Sequence, residues 1–239
     1  MLDKIEKDML DKGIMPEKSV LIGLSGGVDS VALTYIMHKL SEKYGFMVYT
    51  AHLNHMLRGE DADRDAEFCR EFAKNLGITH YEKSVDILEI SHKTGDSEEV
   101  AGRNARYDFF MEIMENVGIE LCATAHHKND CAETVIMNFL RGSGISGLKG
   151  IPYKRDNFIR PLLCVCREDI EEFCKCEGLS YVTDKTNSET KYTRNKIRNL
   201  LIPYLKKEYN PNLVDTITQN AEVIAYDNDY LDLVAEREF

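Results

Sequence analysis

Six consecutive residues, Ser25-Gly-Gly-Val-Asp-Ser30, combine two hydroxyls, two glycines and a carboxylate. Gly26 and Gly27 let the backbone come close to a phosphate, and Ser25 and Ser30 add hydroxyl donors. Asp29 can hold a magnesium ion against phosphate oxygens. No Gly-Lys-Ser/Thr follows, so the run is not a Walker loop. The plainer alternative is a glycine-rich turn with no ligand, and the flanking sequence argues against it. Val20-Leu21-Ile22-Gly23-Leu24 is an apolar run of the buried-strand type, and Val28, Ala32, Ile36 and Leu40 recur at helical spacing. A strand that hands over to a helix leaves backbone N–H groups at the helix N-terminus, where anions are favoured.

Four other stretches carry residues able to do chemistry. His52, His55 and Arg58 fall at or just past a second strand; the plain reading is surface histidines in a loop. Ser97 is a good N-cap for a helix carrying Arg103 and Arg106 three apart, so on one face, with Glu99 spaced to pair with Arg103. That face is either solvated and ion-paired or aimed at a phosphate. His126 and His127 end another strand, and Asp130 either caps the next helix or shares a magnesium ion with Asp29. Lys191, Arg194, Lys196 and Arg198 form the densest basic cluster, with Tyr192 inside it. It reads as a basic helix face or as a track for RNA phosphates with one stacking aromatic.

The elements that must position these groups alternate. Strands are expected at 19–24, 46–53, 78–85 and 119–125, and helices at 28–43, 61–76, 97–117, 130–140, 167–177 and 191–207. Such alternation predicts an α/β fold with a doubly wound, mostly parallel sheet of Rossmann-like type and helices on both faces. Ligands of such folds bind beyond the carboxyl ends of the strands, where residues 25–30, 52–58 and 126–134 all fall. The glycine-rich run from Arg141 to Gly150 is a mobile cover or a long turn. Pro203 and Pro211 bracket a boundary, giving a domain over 1–205 and a linker and helix over 206–239. The helix at 212–237 has Leu213, Ile217, Ala221, Ile224 and Leu231 on or near one face. We read it as the start of a further domain.

The 239 residues suffice for one substantial core. Without a long apolar run or an N-terminal signal segment, no membrane span is expected and the location is expected to be cytoplasmic. The seven cysteines show no paired framework and no Cys-x-x-Cys, which suits a reducing compartment and argues against a metal cluster. The net charge of −11 is unusual for a nucleic-acid binder, so a basic surface would have to be local or lie elsewhere.

Taken in order, the motifs resemble the tRNA(Ile)-lysidine synthetases, members of the PP-loop ATP pyrophosphatases. The matching segments are Ser25–Ser30, His55–Arg58, Ala101–Tyr107, Ala125–His127 with Asp130 and Glu133–Thr134, Arg141–Gly144 with Gly147–Leu148, Arg160–Leu162, Asp184–Asn187 and Tyr192–Arg198. One position departs: the family pattern after the histidines is often Asp-Asp-Gln, and here it is Asn129-Asp130-Cys131.

The resemblance implies an enzyme that uses ATP and Mg2+ to join free L-lysine to C2 of the wobble cytidine in the isoleucine tRNA with a CAU anticodon. It implies pyrophosphate binding by Ser25, Gly26, Gly27, Val28, Asp29 and Ser30, with magnesium at Asp29 and Asp130. Adenine would meet the backbone near Leu53. Asp29, Arg103, Arg106, His126, His127 and Asp130 would be catalytic. His55, Arg58, Arg141, Lys191, Arg194, Lys196 and Arg198 would face RNA. It admits a homodimer and implies further C-terminal domains that hold the tRNA. A tRNA-thiolating relative, with Cys131 as a low-pKa thiol at a helix N-terminus, is the runner-up. A non-catalytic nucleotide sensor comes third.

Overall fold

The structure is a computed structural model that describes residues 1–56, 59–183 and 193–238. Its residues pack as two compact units. The first comprises Met1–Ala125, Lys154–Pro161 and Glu168–Thr183, and the second draws on His126–Tyr153, Leu162–Arg167 and the described part of Asp184–Phe239.

The first unit holds a sheet that, among the described residues, has six strands: β1 (Ser19–Gly23), β2 (Met47–Asn54), β3 (Thr79–Ser84), β4 (Leu121–Ala123), β5 (Lys154–Arg155) and β6 (Phe158–Ile159). Their order is β3-β2-β1-β4-β6-β5, and every pairing is parallel except the short β5–β6 hairpin. The expected doubly wound sheet is therefore present. Helices α1 (Leu2–Asp11), α2 (Val28–Tyr44), α3 (Glu60–Asn75), α4 (Ile87–Thr94) and α5 (Glu98–Val117) surround it.

Side-chain alternation along β1 divides the core. Leu21 joins Ala51, Leu53, Cys122 and Phe158 under Phe109, Phe110, Ile113 and Met114 of α5. Gly23 lies on that same face, and a Cβ there would sit 2.8 Å from the Phe110 ring, so only glycine lets α5 approach so closely. Beyond the strand's end, Leu24 packs with Val31 of α2 and Cys69 of α3. Cys69 is thus a core residue, and burial pushes its thiol up to about 12. Covered on both faces, β1 shows no polar alternation, which is why its sequence reads as a continuous apolar run.

The second unit contains α6 (Lys128–Leu140), α7 (Ile145–Leu148), α9 (Thr193–Lys196), a wide π turn (Ile197–Leu201), α10 (Ile202–Glu208) and α11 (Leu213–Glu238). Between them α8 (Arg167–Cys176) returns to the first unit, burying Ile170 and Cys174. Ala132, Ile197, Ile202 and Val214 form the second unit's core. The expected helix at 191–207 is present as continuous helical winding over 193–208, widened by the π turn, and residues 184–192, with Lys191 and Tyr192, lie outside the described residues. The first half of α11 packs back on α6 and α7, burying Val214 and Ala221. The Arg141–Gly150 run is a folded turn: the Asn138 amide donates to the Gly147 carbonyl at 2.7 Å and the Ser143 N–H to the Asn138 carbonyl at 3.0 Å. Among the described residues no helix is long and apolar enough to cross a membrane.

Candidate active site

The path of the chain creates the site. From β1 it crosses to β2 and β3 on one side, then returns through α4 and α5 to β4 on the other. The sheet order thus reverses at β1, and the crevice beyond the carboxyl end of that strand is where such folds bind ligands. Residues 24–30 occupy it.

Within this loop, Ser30 acts as the internal brace. It is 4% exposed; its hydroxyl donates to the Gly27 carbonyl at 2.9 Å and accepts the Ser25 N–H at 3.1 Å. The two hydroxyls lie 3.1 Å apart. Since the Ser30 proton goes to Gly27, Ser25 supplies the one between them. The structure therefore corrects the expected role of Ser30: it shapes the loop, and the exposed Ser25 is the hydroxyl that faces solvent. Gly26 has φ +83°, and its carbonyl accepts the Val182 N–H at 2.9 Å. Gly27 caps α2 with no side chain in the way, and Asp29 stands half-buried in the first turn. Such a cradle offers backbone N–H groups, one hydroxyl and one carboxylate.

His52 takes the plainer reading. It is buried in β2, and its Nδ1 lies 2.9 Å from the Leu24 carbonyl, so it ties the second strand to the base of the loop. The Leu53 side chain is core, which leaves only its backbone to meet a ligand. Arg58 lies outside the described residues.

On α5, capped by the Ser97 hydroxyl, the two arginines separate in role. Arg106 is exposed, with its Nη2 3.5 Å from Nε2 of His55. Arg103 lies over the Tyr107 ring at 5.6 Å, rather than turning back to Glu99 as its spacing suggested. The Tyr107 ring in turn meets Phe158 at 4.7 Å. Behind it stands Arg160, 6% exposed and hydrogen-bonded to Tyr107; burial, with Arg155 and Arg103 nearby, lowers its pKa. Sequence reasoning gave Arg160 and Tyr107 no role, because their pairing spans distant parts of the chain.

The His55 ring packs against Gly102, where a Cβ would lie 2.8 Å from two ring atoms. We expect Gly102→Ala to displace His55 and disturb Arg106 with little loss of helix stability, since alanine suits a helix better. Turnover falling faster than the melting temperature would show this; unchanged turnover would show that His55 is not needed in place.

In the second unit the start of α6 is an ion-pair network. Both oxygens of Asp130 are engaged. Oδ1 accepts Arg194 Nη2 at 3.1 Å and Arg198 Nη2 at 2.9 Å, and Oδ2 accepts the His127 N–H at 3.1 Å with the His127 ring 3.4 Å away. One turn on, Glu133, 1% exposed, receives Arg194 Nε at 2.9 Å and Arg198 Nε at 2.6 Å. Burial works against the Asp130 charge, but His127, Arg194 and His126 prevail and hold its pKa below the ordinary value.

Two expectations are corrected here. Asp130 has its lone pairs committed to cationic and N–H donors, so it does not fit as a magnesium ligand. Arg194 and Arg198 direct their guanidiniums at buried carboxylates rather than outward to RNA. Glu133 received no role from sequence because its arginine partners lie 61 and 65 residues away. His126 is half-buried and His127 buried, both at the N-terminal end of α6.

Cys131 is corrected as well. It is 7% exposed, its sulfur accepts the Ile151 N–H at 3.5 Å, and burial raises its pKa. A Cβ at Gly150 would lie 2.6 Å from that sulfur, so the thiol fills a packed corner. This is the opposite of an activated thiolate. Cys131→Ser should keep wild-type turnover in an AMP-release assay, and loss of activity would revive a sulfur role. Of the other cysteines, Cys164 and Cys174 are buried and Cys176 is exposed. Among the described residues no three His, Cys, Asp or Glu side chains are grouped to hold a metal ion.

Beside this sheet reversal and serine-braced loop, the chain itself matches the family described as the PP-loop domain over residues 2–205, and it belongs to that family. Among curated proteins the chain is 40% identical over 240 residues to a tRNA(Ile)-lysidine synthase of Clostridium acetobutylicum, covering 100% of this chain and 51% of that protein. It is 43% identical over 235 residues to the protein of that name from Clostridium perfringens, covering 98% of this chain and 49% of that protein. The chain therefore spans about half the length of these curated relatives. Among solved structures, a U34-tRNA thiolase, NcsA, of Methanococcus maripaludis superposes with a TM-score of 0.75 at 19% identity, over 93% of this chain and 77% of that one. That likeness concerns the fold alone.

Proposed function

We propose that this chain joins free L-lysine to C2 of the wobble cytidine of a CAU-anticodon isoleucine tRNA, consuming ATP. The observation that carries this reading is the 40% identity across the whole chain to proteins named tRNA(Ile)-lysidine synthase. In the reaction, the C2 oxygen takes the adenylyl group with release of pyrophosphate, and the lysine amine then displaces AMP.

The residues supply what each step needs. Ser25, Gly26 and Gly27 hold the pyrophosphate end at the α2 N-terminus. Asp29 fits a magnesium ion alone, because one carboxylate beside phosphate oxygens suffices for this metal. The ion would neutralise the leaving group. Arg106, exposed and steadied by His55, stabilises charge developing at the α-phosphate of the transferred adenylyl group, with Arg103 beside it. The backbone by Leu53 meets the adenine. Lysine attacks as a neutral amine, so a base must take its proton. His126 suits this better than His127, whose ring is buried against Asp130. Lys196 and Arg141 face the RNA, residues 1–205 carry the chemistry, and 206–239, whose first half packs on α6 and α7, lead on from it toward a tRNA-holding region.

The test follows AMP and pyrophosphate release with and without the CAU-anticodon tRNA. The reading expects release to require that tRNA and to stop on chelation of magnesium. Release that ignores the tRNA would contradict it.

A further inference from the structure

The second unit carries a groove of about 530 Å3 between the end of α6 and the helices after residue 193, lined chiefly by Leu140, Lys196, Ile197, Leu200, Leu201 and Tyr204. Its walls are almost wholly apolar yet open to water: Leu140 is 63%, Leu200 59% and Tyr204 55% exposed. The π turn produces this arrangement. Its wider winding turns Ile197 inward to the core, with Leu201 partly buried beside it, and leaves Leu200 outside. Such turns recur at functional sites. The Tyr204 ring meets Tyr209 edge-on at 6.1 Å, which extends the aromatic surface.

Charge indicates what the groove takes. In a chain of net charge −11, residues 193–207 contain no Asp or Glu and five basic residues. Arg194 and Arg198 serve the internal network, whereas Lys196 lines the groove. The exposed Arg141 follows Leu140 directly, whereas Lys207, beyond Tyr204, is paired with Glu208 at 3.3 Å. An apolar floor with Lys196 in its lining, on a segment free of acids, suits a polyanion carrying flat apolar rings, which is single-stranded nucleic acid.

We propose that this groove receives an unpaired base of the RNA substrate's single-stranded loop, stacked on Tyr204, with Lys196 beside the adjoining phosphate. This rests on the tRNA-modifying reading and names a subsite for it. The walls offer little hydrogen bonding to base edges, so the subsite tolerates any base.

The test titrates the protein against an anticodon stem–loop RNA carrying a fluorescent base analogue at successive loop positions. Tyr204→Ala weakens binding roughly five- to hundredfold, as loss of one stacked base does. Tyr204→Phe, which keeps the ring, binds as wild type and controls for folding. Lys196→Ala lowers the salt dependence by about one ion. Equal binding by wild type and Tyr204→Ala overturns the groove while sparing the tRNA reading. Failure of wild type to bind the stem–loop overturns both. A dimer that Tyr204→Ala converts to monomer, with RNA affinity unchanged, makes the groove a contact between copies and overturns the proposal.

Discussion

Arg106→Ala should slow AMP formation by roughly 10²–10³-fold, the usual cost of removing one donor aimed at developing charge. The fold should survive, because the side chain is exposed and a surface change of this kind shifts stability by about 0.5 kcal/mol or less. Arg106→Lys should recover only part of the rate. Lysine restores the charge but not the planar fork that spans two phosphate oxygens. The loss should fall on turnover more than on the KM for ATP, whose pyrophosphate end rests on the loop at 25–30. Single-turnover measurement of AMP release, alongside a melting curve, checks all three expectations. Full activity in Arg106→Ala would remove the arginine from the chemistry and leave His55–Arg106 as a packing contact.

Glu133→Gln should cost about 3 kcal/mol of stability, near the low end for breaking a buried ion pair. Glu133 is 1% exposed, but its partners Arg194 and Arg198 are 31% and 35% exposed, so water softens the loss. The variant leaves two guanidiniums sharing one carboxylate, Asp130. Removing Arg194 as well should restore part of the stability, which a double-mutant cycle in urea measures. Additive losses would mean that the charges act independently. The same network sets an acid limit. The Asp130 pKa is lowered in the folded state, so its contribution is present above the ordinary carboxylate pKa. It is lost as pH falls through the lower folded value.

Local features were legible in the sequence and long-range ones were not. The strand, turn and helix at 19–44 follow from an apolar run, a glycine pair and helical spacing, and the structure places β1 and α2 there. The Ser97 cap and Gly118, with φ +77°, mark α5 in the same way. Helix α4 carried comparable signals in Asp86 and Gly95, but its eight residues are too few for periodicity to stand out. Strands β5 and β6 have two residues each and exist only because β6 pairs with β4. The site divides likewise. The phosphate loop is one continuous segment, so its chemistry is visible in order. That Ser30 turns inward, that Arg160 backs Tyr107, and that Arg198 binds Asp130 across 68 residues are facts of packing. Basic residues at 194 and 198 look like an RNA track until their buried partners are known.

The most direct test of the lysidine reading is transfer of radiolabelled lysine to the CAU-anticodon isoleucine tRNA with ATP and magnesium. The account predicts label in the wobble nucleotide, dependent on ATP and absent from a tRNA whose wobble base is not cytidine. Release of pyrophosphate with no lysine in the RNA would contradict it, leaving a PP-loop enzyme that activates a different substrate.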